Sequence, residues 1–366
     1  KIPIHSVVAS FILEDNVGYI KIIRFSATTA AEFVEAMQKL EREGASSVII
    51  DLRANGGGYI RAATDMIDRF LDEGLGIVYT EGKASPRRNY MSKYDGEYRN
   101  WPMAVLIDES SASASEIFAG AMQDNDRGLI LGRRSFGKGL VQEEFEVPNS
   151  NEGSGALRLT VARFYTPSGR AIQRPYGEGI DYGHDFEDRL ESGELFLEDS
   201  VLKTDSVVYR TLLGREVFGG GGITPDVFIP LDSSNGNRAL AELVWTGALR
   251  DAAFKWVDDH RGQVVSRSSE NWLDAKTGGL VSVMEAADEQ GTVWPNKFTA
   301  EGKVQIERII NRYYAQVVRN VYGENAYFKV LSEGDAFTER ALFELLHIDR
   351  FTEREGGVYL LYNDST

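Results

Sequence analysis

Met103-Ala104-Val105-Leu106-Ile107 is an unbroken apolar run, followed shortly by Ser110-Ser111-Ala112-Ser113-Ala114-Ser115-Glu116 and an alanine-rich stretch ending near Asp124. An apolar run without alternation suits a strand covered on both faces, and the residues beyond it predict a helix over 114–124. The chain therefore delivers a serine cluster from a strand onto a helix N-terminus. The same unit recurs upstream. Val17–Phe25 reads as a strand, and Thr29-Ala30-Ala31-Glu32 matches a capping box opening a helix with Phe33, Met37 and Leu40 on one face and Gly44 closing it. Ser46–Leu52 is a second buried strand, Asn55-Gly56-Gly57-Gly58 turns into a helix from about 61 to 72, and Leu129–Leu131 is a further strand. Strands alternating with amphipathic helices imply an α/β fold with crossover helices packed on a sheet.

From Val141 to Thr166 the pattern turns to β. Leu157, Leu159 and Val161 alternate with Arg158, Thr160 and Ala162, as in a half-buried strand. Residues 176–217 are polar and weakly periodic and read as a surface excursion, after which glycines and Pro225 punctuate the return to a strand at 227–230. Beyond Asn235 the chain turns helical, with Leu240, Leu243, Val244 and Ala248 on one stripe and Ile306, Ile309, Ile310, Tyr313, Tyr314, Val317 and Val321 on another. This gives two regions, 1–235 and a helical 236–366. The latter is read as stabilising the core, with docking or homo-oligomerisation as the alternative.

Composition narrows the chemistry. A net charge of −16 disfavours nucleic acid and anionic membrane surfaces as partners. The absence of cysteine excludes thiol catalysis, disulfides and thiolate-bound metal. No apolar run approaches the roughly 18 residues a membrane span needs. The chain opens on Lys1-Ile2-Pro3-Ile4 without a signal-peptide pattern.

Helix N-termini carry unpaired N–H groups and partial positive charge, so a serine there can attack a carbonyl while the next N–H binds the developing oxyanion. Ser111, Ser113 and Ser115 all qualify locally, and each is equally an N-cap candidate. Ser135-Phe136-Gly137-Lys138-Gly139 supplies a lysine between two glycines. A lysine general base must lose its proton near neutrality, against an ordinary pKa of about 10.4. Asp51-Leu52-Arg53-Ala54-Asn55-Gly56-Gly57-Gly58 is a glycine turn at a strand end, able to cradle an oxyanion. It lacks both the Walker and the dinucleotide-binding patterns.

These segments, together with Leu157–Gln173 and Gly219–Asp226, resemble the carboxyl-terminal processing peptidases, the tail-specific serine proteases. The resemblance covers about 1–230. It implies a ClpP/crotonase-like sheet-and-helix core with a β subregion, and a serine endopeptidase that cleaves polypeptides near their C-termini through an acyl-enzyme. It places the nucleophile on Ser113, the general base on Lys138 and the residue orienting that lysine on Gln142. It assigns the oxyanion donors to the N–H groups of Ala114 and Gly57. No metal or organic cofactor is implied. The family ordinarily carries a PDZ domain before this segment, so such a module is expected in the full-length protein, with Ile2–Ser6 resembling the exit from one. The implied compartment is extracytoplasmic, a periplasm. Asp124 also matches a family position, but eleven residues of continuous helix separate it from Ser113 by about 16 Å. It is therefore assigned a structural role, with Arg127 as its expected partner.

Three rival readings compete with this one. Ser135-x-x-Lys138, Ser233-Ser234-Asn235 and Lys276-Thr277-Gly278 loosely match penicillin-binding and β-lactamase motifs. That reading requires Ser135 to open a helix, whereas the neighbouring glycines favour a turn. His5, His184, His260 and His347 lack a nucleophile-elbow context, which argues against a Ser-His-Asp enzyme. The third reading is a non-enzymatic peptide-binding scaffold on the same fold.

Overall fold

The computed structural model describes residues 4–149, 153–175, 182–198, 207–231, 238–264, 281, 283–285, 287–288, 291–347, 351–354 and 357–360. The chain divides into two compact units: Lys1–Pro230 with Glu339–Thr366, and Leu231–Thr338. Composition places the first boundary at 235 and runs the second region to 366. The tail groups with the first unit because Phe351–Arg354 pairs with Gly357–Leu360, and the Leu360 N–H donates to the Asp126 carbonyl.

The first unit is built on a six-stranded sheet. Its strands are β1 (Val7–Ile12), β2 (Val17–Ile22), β3 (Ser47–Asp51), β6 (Met103–Ile107), β7 (Leu129–Gly132) and β12 (Val227–Phe228), hydrogen-bonded in that order. Only β1 runs antiparallel to its neighbour; the rest are parallel. Helices α1 (Thr29–Arg42), α2 (Ile60–Ile67) and α3 (Ala114–Asp124) make the crossovers. Their Phe33, Met37, Leu40, Met66, Ile67, Phe118 and Met122 share one core with Ile20, Val48, Ile50, Val105 and Ile107 of the strands. This is the sheet-and-helix α/β core that the alternating pattern implies. Every residue of β3, β6 and α3 is buried, which explains why their sequences carry no alternation.

The opening of α1 lies one residue from its expected position. Thr28 is the N-cap and hydrogen-bonds Glu32 Oε1 at 2.6 Å. The other Glu32 oxygen accepts the Ser6 and Val7 N–H groups at 2.6 and 2.9 Å. Glu32 thus ties the chain before β1 to the helix rather than closing a box with Thr29.

A second, antiparallel sheet is made by β4 (Gly76–Glu81), β5 (Arg88–Met91), β8 (Leu140–Asn149) and β9 (Gly153–Tyr165), in the order β5-β4-β9-β8. The expected alternation in β9 is present, but burial follows it only near the strand's end. Ala162 and Phe164 are buried, whereas Leu157 and Leu159 are 47% and 45% exposed. The reason is topological: β4 pairs with β9 only from Arg163 to Tyr165, and upstream of that β9 pairs with β8. A short antiparallel pair, β10 (Val208–Arg210) and β11 (Glu216–Phe218), precedes β12.

In the second unit, Arg238–Trp245, Ala248–Asp259, Ala300–Tyr322 and Glu324–Ser332 are helices. Leu243, Leu249, Ala253, Ile309, Tyr313 and Val317 form their shared core, matching the two apolar stripes of the sequence. Among the described residues, no helix is long and apolar enough to cross a membrane.

Candidate active site

Three structures meet at the C-terminal ends of the parallel strands, and each is held by buried polar contacts. The first is the turn after β3. Asp51 accepts Tyr19 Oη at 2.6 Å, Lys21 Nζ at 2.9 Å and the Arg53 guanidinium at 2.6 Å. Burial pushes the Asp51 carboxyl up, but the Arg53 and Lys21 charges and the hydrogen bonds outweigh it and hold the pKa well below the usual carboxylate range. Asp51 and Arg53 therefore brace the strand end. A depressed folded pKa contributes stability that is full above the unfolded value, about 3.9, and is lost progressively below it as pH falls toward the lower folded value. The urea midpoint is expected to drop from about pH 5 downward, and more steeply than in Asp51→Asn. Equal slopes in the two proteins would remove Asp51 from that role.

The turn continues through Asn55, whose Nδ2 donates to the Ile22 carbonyl at 2.9 Å. Gly57 has φ +92°, and a Cβ there would lie 2.5 Å from the Ala112 carbonyl oxygen and 2.8 Å from the Ala114 nitrogen. Only glycine lets this turn approach the serine segment so closely. The Gly57 N–H, expected as an oxyanion donor, is instead donated to Asn55 Oδ1 at 2.9 Å. The next N–H, that of Gly58, has no hydrogen-bond partner among the described residues.

The second structure is the serine segment, and here the three serines separate. Ser111 is buried, donating its hydroxyl to the Leu52 carbonyl at 2.9 Å. Ser115 is buried and donates to the Asn55 carbonyl at 2.8 Å. Ser113 is only half-buried, lines a cleft, and sits at φ 56°, ψ −110° as the N-cap of α3. Positive φ in a non-glycine residue is strained, and such strain clusters where a side chain must be presented. Among the described residues the adjoining Ala114 N–H has no hydrogen-bond partner, as expected of a donor in the first turn of a helix.

The third structure is the loop from Arg134 to Gly139, between β7 and β8. It is not helical, and Ser135 is buried with its hydroxyl donated to Glu116 Oε1 at 2.6 Å. Both facts oppose the Ser-x-x-Lys reading; residues 233–235 and 276–278 lie outside the described residues. Gly137 has φ +87°, and a Cβ on it would lie 3.2 Å from the backbone of Gly221 and Gly222, so the lysine loop also needs its glycine. Lys138 projects an exposed side chain, and Gln142 is exposed on β8 beside an irregularity in register between Val141 and Gln142.

Glu116 joins the second and third structures. Its side chain is fully buried, and its two oxygens accept the Ser113, Gly137 and Lys138 N–H groups at 2.7, 2.6 and 2.8 Å besides the Ser135 hydroxyl. Burial raises its pKa, opposed by those four donors. One carboxylate thus fixes both the serine's and the lysine's backbone. In the sequence Glu116 is visible only as the third residue after a helix-capping serine; its longer-range bonds carry no local signature.

A cleft of about 780 Å³ is lined by Gly57, Gly58, Ser113, Lys138 and Gln142, together with Arg88, Tyr90, Val161 and Phe164 from the antiparallel sheet. Among the described residues no hydrogen bond joins Ser113 to Lys138, although both line the cleft. The acidic residue at the far end of α3 stands apart from this chemistry. Asp124 pairs with buried Arg170 at 2.7 Å and accepts the Ser168 N–H and hydroxyl at 3.0 and 2.7 Å. Arg127, its expected partner, instead donates to the carbonyls of Phe70, Tyr98 and Trp101. Among the described residues no histidine lines the cleft.

Residues 16–182 match the family model described as Peptidase family S41. A carboxyl-terminal-processing protease of Picosynechococcus is 39% identical over 153 residues, covering 42% of this chain and 36% of the relative. The chloroplastic carboxyl-terminal-processing peptidase 3 of Arabidopsis thaliana is 42% identical over 155 residues, covering 41% and 28%. Among solved structures, a photosystem II D1 C-terminal processing protease aligns with 27% identity and a TM-score of 0.42, covering 62% of this chain and 46% of that one. The matched part spans about a third of the length of these curated relatives. Residues 16–182 are thus similar to peptidase family S41, and the chain is similar in sequence to the carboxyl-terminal-processing proteases.

Proposed function

We propose that this chain is a serine endopeptidase acting on polypeptides near their C-termini, with Ser113 as nucleophile and Lys138 as general base. The observation that carries the reading is the shared cleft. Of the three serines, Ser113 alone lines it, on a strained helix N-cap, and Lys138 and Gln142 line it too. Neutral Lys138, oriented by Gln142, takes the Ser113 proton as the hydroxyl attacks the scissile carbonyl. The oxyanion is held by the Ala114 N–H and by the Gly58 N–H, since the Gly57 N–H is engaged with Asn55. Lys138 then protonates the leaving amine, and water releases the acyl group from Ser113.

The resemblance read from the sequence extends the proposal: the enzyme works outside the cytoplasm, in a periplasm, and a PDZ module in the full-length protein helps select C-termini. Self-association is compatible with the reading. The test is incubation with an unstructured polypeptide, alongside labelling by a fluorophosphonate. Fragments and label that both disappear in Ser113→Ala support the enzyme. An intact polypeptide and an unlabelled Ser113 in the folded chain favour the peptide-binding scaffold.

A further inference from the structure

Residues 176–217 read from their sequence as a path over the surface, and most of the described ones are exposed, yet a few side chains turn inward. In α4 (Asp185–Glu191) and the turn after it, Arg189, Glu194 and Leu195 are only 3%, 2% and 1% exposed. A guanidinium can be buried where acceptors and carboxylates face it, and Arg189 has both, although its Nε makes no hydrogen bond among the described residues. One terminal nitrogen donates to the Arg134 carbonyl at 3.0 Å, and the other to the Ser135 and Phe136 carbonyls at 3.1 and 3.5 Å. Its Nε lies 3.0 Å from Asp185 Oδ2, and Glu194 is 3.8 Å from Nη1. Glu194 also holds Arg134 through two bonds of 2.8 and 2.7 Å.

The three carbonyls that Arg189 gathers belong to the loop carrying Lys138, and the loop's N–H groups are taken up from other directions. Ser135 donates to the Ile223 carbonyl at 3.0 Å and Phe136 to that of Ser111 at 3.0 Å. Gly137 and Lys138 donate to Glu116, and Gly139 to Gln173 Oε1 at 2.9 Å. An anion thus grips N–H groups of the loop while a cation grips its carbonyls. Their charges complement the two ends of the intervening peptide dipoles.

We infer that Arg189 is a positioning residue for Lys138: from an inserted helix, it fixes the carbonyls of the 134–136 segment opposite Glu116 and so sets where the lysine enters the cleft. This deepens the peptidase reading and rests on it. Among the described residues Lys138 is held only through its main chain, so the loop's geometry determines how often its amine meets Ser113. A displacement of about 1 Å can cost on the order of 10²-fold in rate.

The test compares the whole chain with Arg189→Gln and Arg189→Lys by amide hydrogen exchange and by steady-state cleavage of an unstructured polypeptide. In Arg189→Gln, exchange at 135–139 is expected to quicken at least about tenfold while β3 and β6 keep their protection. kcat is expected to fall roughly 10- to 100-fold with KM held. Arg189→Lys, keeping the charge but losing the fork, should recover part of the loss. Unchanged exchange at 135–139 overturns the clamp whatever the activity. Faster exchange with unchanged kcat reduces Arg189 to a brace and overturns the positioning role. If the wild-type chain cleaves nothing in a Ser113-dependent way, the peptidase reading fails, and exchange still decides whether the clamp exists. Should Arg189→Gln not fold, Asp185→Asn loosens the same guanidinium from a more exposed position and is read by the same two measurements.

Discussion

Ser113→Ala is expected to lower kcat on an unstructured polypeptide by roughly five to six orders of magnitude, and Lys138→Ala by roughly two to four. The double variant is expected to be no slower than Ser113→Ala. The asymmetry follows from the division of labour. Without the Ser113 hydroxyl no acyl-enzyme forms, and the lysine has no proton to take. Without the lysine amine the hydroxyl remains, and the oxyanion donors still act on whatever attack water can assist. Residues that work as one unit lose their contributions together, so the second deletion removes nothing the first has left. Both variants should fold. Ser113 is half-buried, and Lys138 contributes to the structure through its N–H to Glu116, which alanine retains. Near-normal turnover by folded Lys138→Ala would sink the dyad.

The regular part of this fold was legible because its causes are local. Met103–Ile107 and Ala114–Asp124 form the expected strand and helix. Each is defined by a run of residues whose burial or propensity does not depend on distant partners. The serine segment shows where that stops. Locally, Ser111, Ser113 and Ser115 are equivalent; they are separated by carbonyls of Leu52 and Asn55, about sixty residues away in sequence, which engage the outer two. Alternation in β9 predicts a buried face, but alternation reports only which side chains share a face. Leu157 and Leu159 share theirs with Phe145 and Val147 of β8, all four exposed, because no layer of the described residues covers that part of the hairpin. Charged residues mislead in the opposite direction. Arg189 and Glu194 resemble solvent-facing residues by type, and nothing in the sequence around them shows that three backbone carbonyls and Arg134 await them. Glu116 is concealed for the same reason: a capping position accounts for it locally, while three of its four bonds reach across to the lysine loop.

Asp124→Ala is expected to destabilise the first unit by about 3–5 kcal/mol, because it leaves the Arg170 guanidinium buried without its counter-charge. Arg170 and Asp124 are 1% and 0% exposed, so water cannot take over the lost contacts without the surrounding packing opening. Ser168 loses two acceptor contacts in the same step, and the turn after β9 that it shares with Arg170 is released from the end of α3. Asp124→Asn should cost less, since its amide oxygen can still accept from Arg170 or Ser168 though the charge is gone. The measurement that separates a scaffold from a participant in chemistry is activity per labelled Ser113. If Asp124 acts only by holding α3 to this turn, loss of activity follows loss of folded protein, and each site that still takes up fluorophosphonate turns over at close to the wild-type rate. Continuous helix between residues 114 and 124 keeps the carboxylate away from the nucleophile, so no direct proton path is available to it. A folded Asp124→Asn protein, unchanged in its urea midpoint yet without turnover, would require that the far end of α3 reach Ser113 by some other route.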